Sequence, residues 1–276
     1  MKNRNLIGTN GFNRCVPGRE GYLVYNDNDE YVGRSVGLYG EYGEYEAQLL
    51  RQVCPAGGVA VEVGANIGTL TLVLSKAAGP TGFVYAYEPQ RVVFQTLCAN
   101  LAVNSIVNAD ARHAAAGAAN GHVLIPDIDY ATPNNFGGVE LGAFDTGRKV
   151  RKVRLDDDLE PERLDLLKID VEGMELEVLQ GAATLIGRHR PILYVEDDRI
   201  EQSEALLRHI MGLDYRLYWH AVPLYNPENF FSERENFFGG TVSVNVLCVP
   251  RALKREISGL PEILDPAHHP MRRPAA

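Results

Sequence analysis

The chain has 276 residues, 45% of them hydrophobic and 23% charged, with a formal net charge of −9. That length suits one large domain, or one domain with an added segment. The acidic balance gives no general attraction for nucleic acid phosphates or anionic membranes, so neither is expected as a partner. Residues 1–10 hold no apolar run of the kind a signal peptide needs, and no stretch approaches the roughly 20 apolar residues that span a bilayer. Cys15, Cys54, Cys98 and Cys248 are far apart. They fit reduced thiols of a cytoplasmic protein better than a zinc site or a disulfide framework.

Residues 1–50 read as an N-terminal cap or extension rich in Gly, Tyr and Asn. A short strand or turn is expected over 32–38, and a helix over Glu44–Val53 that ends before Pro55 and Gly58. Strand and helix then alternate. Val59–Val63 is a short apolar strand; 67–78 is helical and stops at Gly79-Pro80. Strand Phe83–Tyr87, helix 90–103 and strand 109–116 follow. After a long loop over 126–148 come strand 165–169, helix 174–186, strand 192–195 and helix 202–211. Two late strands, 215–220 and 242–249, have no helix between them and can pair antiparallel. This alternation predicts a Rossmann-like, doubly wound α/β fold: a mostly parallel sheet covered on both faces, with an antiparallel late strand. The sheet domain takes residues 51–250. The proline-bearing stretch 251–276, with His268, His269, Arg272 and Arg273, reads as a loosely ordered tail.

Three motifs carry chemistry. In the turn after the first apolar strand, Gly64, Ala65, Asn66 and Gly68 sit at a strand's carboxyl end, where ligands of parallel sheets bind. Gly64 leaves room for a ligand, and Asn66 suits the N-cap of a helix starting at Ile67. Glu62 stands inside a strand that is buried on both faces. A carboxylate there needs a cation or donors, and a ligand ammonium or sulfonium supplies one. Glu88 ends the next strand, placed to accept hydrogen bonds from both hydroxyls of a ribose; Pro89 then opens a helix. Each feature also has a plain reading, a tight turn or a helix-start carboxylate. Both NAD and S-adenosylmethionine contain adenosine, so the pair does not choose between them. The third motif, Leu164-Asp-Leu-Leu-Lys168-Ile-Asp170-Val-Glu172-Gly173, ends an apolar strand on two carboxylates. Helix capping explains it locally; acid–base or electrostatic work beside a cationic cofactor explains it functionally.

Taken together, the turn after Glu62, Tyr87-Glu88-Pro89, Asn100, the 164–173 stretch, Gly181-Ala182 and Pro191 to Glu196 resemble the FkbM family of S-adenosylmethionine-dependent O-methyltransferases. The likeness runs over about 41–196. It implies S-adenosylmethionine as cofactor, held by Glu62, Gly64, Ala65, Asn66, Gly68, Glu88 and Asp170, and a hydroxylated small molecule, such as a sugar or other natural product, as acceptor. An alcohol needs a base. Asp170 is the first candidate, with Glu172 supporting it, Glu196 nearby and His220 as an alternative. No metal ligand is assigned. A divalent cation such as magnesium on Asp170, Glu196 and Asp197 is an alternative that spacing alone does not establish. Tyr130, Asn134, Asn135 and Phe136, with Trp219, Asn226, Asn229, Phe230, Phe231 and Phe237, are the expected acceptor-pocket residues. A homo-oligomer is compatible with the composition. The rivals are an NAD-dependent oxidoreductase, which lacks its G-x-G-x-x-G and Tyr-x-x-x-Lys here, and a non-catalytic nucleoside-binding module.

Overall fold

The computed structural model describes residues 4–7, 11–139 and 144–272. Parts of the expected N-terminal segment (1–3, 8–10), of the long loop (140–143) and of the tail from Arg273 lie outside the described residues. The chain opens with an antiparallel hairpin, β1 (Asn13–Gly18) and β2 (Gly21–Asn26). Residues 32–38, expected as a strand or turn, instead form helix α1 (Val32–Tyr39). Val32, Ser35, Val36 and Tyr39 recur at helical spacing and bury one face. Helix α2 (Glu44–Val53) has the expected bounds.

The alternating core follows: β3 (Val59–Val63), α3 (Thr69–Ala78), β4 (Phe83–Tyr87), α4 (Arg91–Val103) and β5 (Ala109–Arg112). The strand expected over 109–116 breaks after Arg112. Its remainder, β6 (Ala115–Ala116), joins a separate three-stranded sheet with β7 (Gly121–Ile125) and β8 (Arg148–Val153). Next come α5 (Leu155–Asp158), β9 (Leu166–Ile169), α6 (Glu175–Gly181) and α7 (Ala183–His189). The last two replace the single helix expected over 174–186. The chain ends with β10 (Ile192–Glu196), α8 (Ile200–Gly212), β11 (Tyr215–Pro223) and β12 (Val242–Pro250).

Seven strands form the main sheet in the order β11-β12-β10-β9-β3-β4-β5. β10, β9, β3, β4 and β5 are parallel, and β12 runs antiparallel to both of its neighbours. The predicted α/β architecture with an antiparallel late strand is therefore present. One sheet face packs Val61, Leu167, Leu193 and Val195 against residues of α6, α7 and α8. The other packs Ala60, Leu166 and Ile192 against α2 and α3. The chain order reverses between β3 and β9, so ligand access is expected at their carboxyl ends.

The N-terminal hairpin joins this body through side-chain amides rather than through the sheet. Asn100, fully buried on α4, accepts from the Val24 N–H at 2.6 Å and donates to the Val24 carbonyl at 2.9 Å and the Ile67 carbonyl at 2.8 Å. One turn later, Asn104 makes the same reciprocal pair with Tyr22 at 2.8 and 2.7 Å. Together the two amides bond alternate residues of β2 as a neighbouring strand would.

The stretch after Pro250, expected to be loose, is fastened along the outer edge of β11. Trp219 N–H donates to the Pro261 carbonyl, Ile263 N–H donates to the Leu217 carbonyl, and His269 is buried. Among the described residues, no helix is long and apolar enough to cross a membrane, and all four cysteines are free thiols.

Replacing Asn100 with alanine removes three hydrogen bonds and leaves buried backbone groups without partners. The expected cost is about 2–4 kcal/mol in urea unfolding, with faster hydrogen exchange confined to 13–26. A loss below about 1 kcal/mol would show that the amides do not hold the hairpin.

Candidate active site

On the sheet face covered by α2 and α3, side chains turn from apolar to ionic towards the carboxyl ends. Ala60, Leu166 and Ile192 form one cross-strand row; Glu62, Lys168 and Tyr194 form the next. Asp170 and Glu196 follow at the strand ends. Lys168 is 1% exposed, and its Nζ donates to Asp170 Oδ2 at 2.9 Å. Burial by itself would drive this ammonium to lose its proton. Asp170, Glu62 and Glu46 more than offset burial and hold its pKa above the ordinary lysine value.

The carboxylates carry the opposite strain. Burial pushes Glu62 up to about 7, although Lys168 and the Thr71 hydroxyl, donating at 2.6 Å, favour its charged form. Glu46, buried on α2, is raised by burial too, and Ser243 Oγ donates to it at 2.9 Å. One ammonium thus faces three carboxylates, which leaves this end of the sheet short of positive charge.

Chain packing requires glycine at two positions of this turn, and Gly64 also lines the cleft described below. Its φ is +84°, and a Cβ there would lie 1.7 Å from the Asp170 carbonyl oxygen. At Gly68, with φ +86°, a Cβ would lie 2.5 Å from Leu97 Cδ1. Asn66 is not a helix N-cap: α3 starts at Thr69, and Asn66 has φ +50° with its Oδ1 accepting from the Ile67 N–H at 2.7 Å. Its own N–H donates to Glu88 Oε2 at 3.0 Å, and Gln90 N–H donates to Glu88 Oε1 at 2.7 Å. Glu88 therefore ties the two strand-end turns together. It is buried, and desolvation raises it to about 7 against those two donors. Pro89 lies outside α4, which begins at Arg91.

These groups line a cleft of about 240 Å³. Gly64, Ala65, Asn66, Glu62, Glu88 and Asp170 meet there, as does Glu172; Gly68 stands behind it, against Leu97. Asp170, Glu172 and Glu196 bring oxygens within 4.8 Å of one another. Glu172, at φ +56°, is paired with Arg199 at 2.6 Å, and burial raises it to about 7. Glu196 Oε2 is shielded from solvent and finds no donor among the described residues. Asp197, one residue on, points away: it accepts from Ser203 Oγ at 2.8 Å, while Asp198 lines the cleft.

His220 is placed apart from the cleft, a correction to the alternative base. It is buried with Nδ1 2.8 Å from the Tyr194 hydroxyl and lines cavities beneath the C-terminal stretch. Burial lowers its pKa to about 4. On β11 it sits opposite Asn245 of β12, which stands between it and Glu196 at the end of β10.

Three segments roof the cleft. Tyr31, Val32 and Tyr42 come from the N-terminal part, Asn135 to Val139 from the long loop, and Leu224 and Thr241 from the late loop. They hold one another: the Asn134 N–H donates to the Asn28 carbonyl and its carbonyl accepts from the Glu30 N–H, while Glu41 accepts from Asn226 Nδ2 and the Phe230 N–H, both at 2.8 Å. Most of the expected acceptor-pocket residues serve this roof from behind. Phe136 is buried under Tyr130, Phe237 stacks on Tyr39, Asn229 bonds its own loop, and Phe231 lies under the Arg4 guanidinium. Trp219 packs edge-on to His269 on the opposite sheet face. Of that set, Asn135 alone lines the cleft. Tyr31, Tyr42, Glu46 and Ser243 were not singled out from sequence. Glu46 had a signal: an acid on the same helical stripe as buried Ala47, Leu50 and Val53.

The model of the methyltransferase FkbM domain family matches residues 62–217. No curated protein matches the chain. Among solved structures it is similar to a methyltransferase FkbM from Methylobacillus flagellatus KT, at 20% identity and a TM-score of 0.49, over 70% of this chain and 44% of that one. The chain thus spans less than half the length of that relative. It is also similar to a SAM-dependent O-methyltransferase from Thermotoga maritima (14%, TM-score 0.47, 78% and 66%). A putative methyltransferase from Streptococcus mutans, in complex with SAH, is a third (12%, TM-score 0.43, 74% and 96%).

Glu62 and Glu88 bind protons near neutrality that the unfolded chain, with ordinary glutamate values of 4.5, has already released. The stability they contribute is fully present below about pH 4.5 and lost as pH rises through about 7. Urea unfolding of the ligand-free protein should show this fall, and Glu62→Gln should flatten it. An identical pH slope in the variant would rule out Glu62 as a source.

Proposed function

This chain belongs to the FkbM methyltransferase family, and on that premise we propose that it transfers a methyl group from S-adenosylmethionine to a hydroxyl oxygen of a small acceptor, a sugar or another natural product. The observation that carries the reading is the convergence of Glu62, Glu88 and Asp170 at the β3/β9 switch point, with more carboxylate than ammonium to balance it. A nucleoside bearing positive charge answers both needs. Glu88 uses its two oxygens for one backbone N–H each, so each retains acceptor capacity for a ribose hydroxyl. The buried, donor-free Glu196 oxygen likewise fits a cleft that receives a donor or cation.

When bound, S-adenosylmethionine supplies a methyl group already activated by a cationic sulfur. The chain's share is binding, orientation and proton handling. The turn through Gly64, Ala65, Asn66 and Gly68, with Glu62 and Glu88, holds the cofactor. Asp170 stands between cofactor and acceptor. Lys168 fixes one of its oxygens, and the other is left to the acceptor hydroxyl, whose proton it draws off with Glu172 in support. The roof keeps water out and holds the acceptor in line, the kind of positioning that can supply roughly 7–11 kcal/mol of a barrier. Phosphate-rich acceptors are disfavoured, because Glu172, Glu196 and Asp198 face the same space. His220 has no part in this mechanism.

Calorimetry with S-adenosylhomocysteine, S-adenosylmethionine and NAD tests the cofactor. Both adenosyl compounds should bind, NAD should not, and Glu88→Ala should weaken S-adenosylhomocysteine at least about tenfold, as lost charge-assisted hydrogen bonds do. A folded protein that binds neither adenosyl compound contradicts the reading. A screen of hydroxylated acceptors with labelled methyl donor then finds the second substrate. On the acceptor found, Asp170→Asn should lower kcat by about 100-fold or more while S-adenosylhomocysteine binds within a few-fold of wild type. Turnover unchanged in that variant excludes the role given to Asp170.

A further inference from the structure

We infer that His269, on the stretch after Pro250, is a positioning residue for the acceptor: it fixes Asp197 and so sets Asp198 and the Arg199–Glu172 pair at the cleft. The inference deepens the methyltransferase reading and rests on it. His269 is 1% exposed, although its neighbours in sequence are polar residues and prolines. The stretch runs from the edge of β11, where Ile263 is buried in the same cluster as Trp219, to the turn between β10 and α8. There Nε2 of His269 lies 2.8 Å from the Asp197 carbonyl, and Nδ1 accepts from the Met271 N–H at 3.1 Å. A backbone N–H can only donate, so the proton of the ring sits on Nε2 and is given to Asp197. Trp219 packs edge-on against the ring, with centroids 5.2 Å apart.

Asp197 is held through its backbone and its side chain alike. Its N–H donates to the Val244 carbonyl at 2.9 Å, its carboxylate accepts from Ser203 Oγ at 2.8 Å, and its carbonyl accepts from His269. Asp197 is buried, and a buried carbonyl that loses its donor destabilises the conformation that depends on the bond. The next two residues are the ones that serve the cleft. Asp198 lines it, and Arg199 pairs with Glu172, another lining residue, at 2.6 Å. A backbone pinned at 197 leaves these side chains little freedom.

The sheet order separates this wall from the cofactor. β10 lies beyond β9, on the side away from β3 and β4, whose ends carry Glu62 and Glu88. His269 is not among the residues that line the cleft, so it acts through the turn and touches neither substrate. A shift of that turn displaces the wall that holds the acceptor and leaves the nucleoside end in place. Small misplacements of this kind weaken an aligned site out of proportion to their size. His269 also lies outside residues 62–217 matched to the family, whereas the turn it holds lies inside them. The far end of the chain thus shapes a wall built by the matched part.

Three substitutions in the full chain test this. His269→Ala removes both bonds. His269→Gln puts an amide donor near the place of Nε2, and His269→Asn puts an amide oxygen near the place of Nδ1. With an acceptor found by the labelled-methyl screen, His269→Ala and His269→Asn should raise the acceptor KM at least about tenfold, with kcat within about threefold and S-adenosylhomocysteine affinity within about twofold of wild type. His269→Gln should bring KM back to within about threefold of wild type. The amides of Gln202 and Ser203, which donate to the Arg199 carbonyl, should exchange hydrogen faster in His269→Ala and His269→Asn but not in His269→Gln. An unchanged KM in His269→Ala, or equal rescue by His269→Asn and His269→Gln, overturns the role and leaves His269 as an anchor of the tail alone. Should His269→Ala fail to fold, the other two variants, each keeping one bond, decide the matter. Failure of S-adenosylhomocysteine to bind wild type rejects the cofactor reading, and hydrogen exchange then decides by itself whether His269 holds the turn.

Discussion

A buried ammonium surrounded by carboxylates organises this protein. Lys168 projects from the middle of an apolar strand, where an isolated charge would be expelled or neutralised. It stays charged because Asp170 on its own strand, Glu62 on the neighbouring strand and Glu46 on α2 surround it. Two of those acids are held in turn, Glu62 by Thr71 and Glu46 by Ser243. The set joins β3, β9, α2, α3 and β12 at one point. Breaking such a cluster by removing its single cation is far costlier than any surface ion pair, since it strands charges that cannot reach water. The same network sets the polarity of the cleft, because its unbalanced acids form the cleft wall.

The central elements were legible because their physics is local. Val59–Val63 and Phe83–Tyr87 are short apolar runs bounded by glycines and proline, and α2 has a periodic stripe; the structure has all three at the expected bounds. The hairpin β1–β2 and the strands β7 and β8 were not legible. Their alternation is diluted by exposed Tyr, Arg and Lys, and they are half-buried by partners far away in sequence. Asn100 illustrates the difficulty. It stood out among the motif residues, but its task as a partner for β2 shows only when that strand is brought beside it.

The site was legible in a similar, uneven way. Glu62, Glu88, Asp170 and Glu172 stand at strand ends, a position that sequence order reveals, and all four reach the cleft. The glycines have a further reason that the sequence did not show: their missing side chains make room for the Asp170 carbonyl and for Leu97. Asp197 was misplaced because a one-residue step along the chain reverses direction, and His220 because β12 stands between it and the end of β10. The aromatic residues of the late loop were misjudged because ring-rich loops serve mutual packing as readily as ligand contact, and here Phe231 and Phe237 brace the N-terminal segment.

The fastening of the hairpin by Asn100 and Asn104 has a consequence for how such a chain diversifies. Glu62, Glu88, Asp170 and Glu196 lie within the stretch matched to the family, while Tyr31, Val32 and Tyr42, from the segment that follows the hairpin, lie outside it. One wall is thus built by the sheet and part of the opposite wall by a segment whose hairpin is held by side-chain amides and apolar packing. Insertions or exchanges in that segment can reshape what the cleft admits without disturbing the strand ends beneath. The chain carries, in effect, a fixed tool in an interchangeable grip.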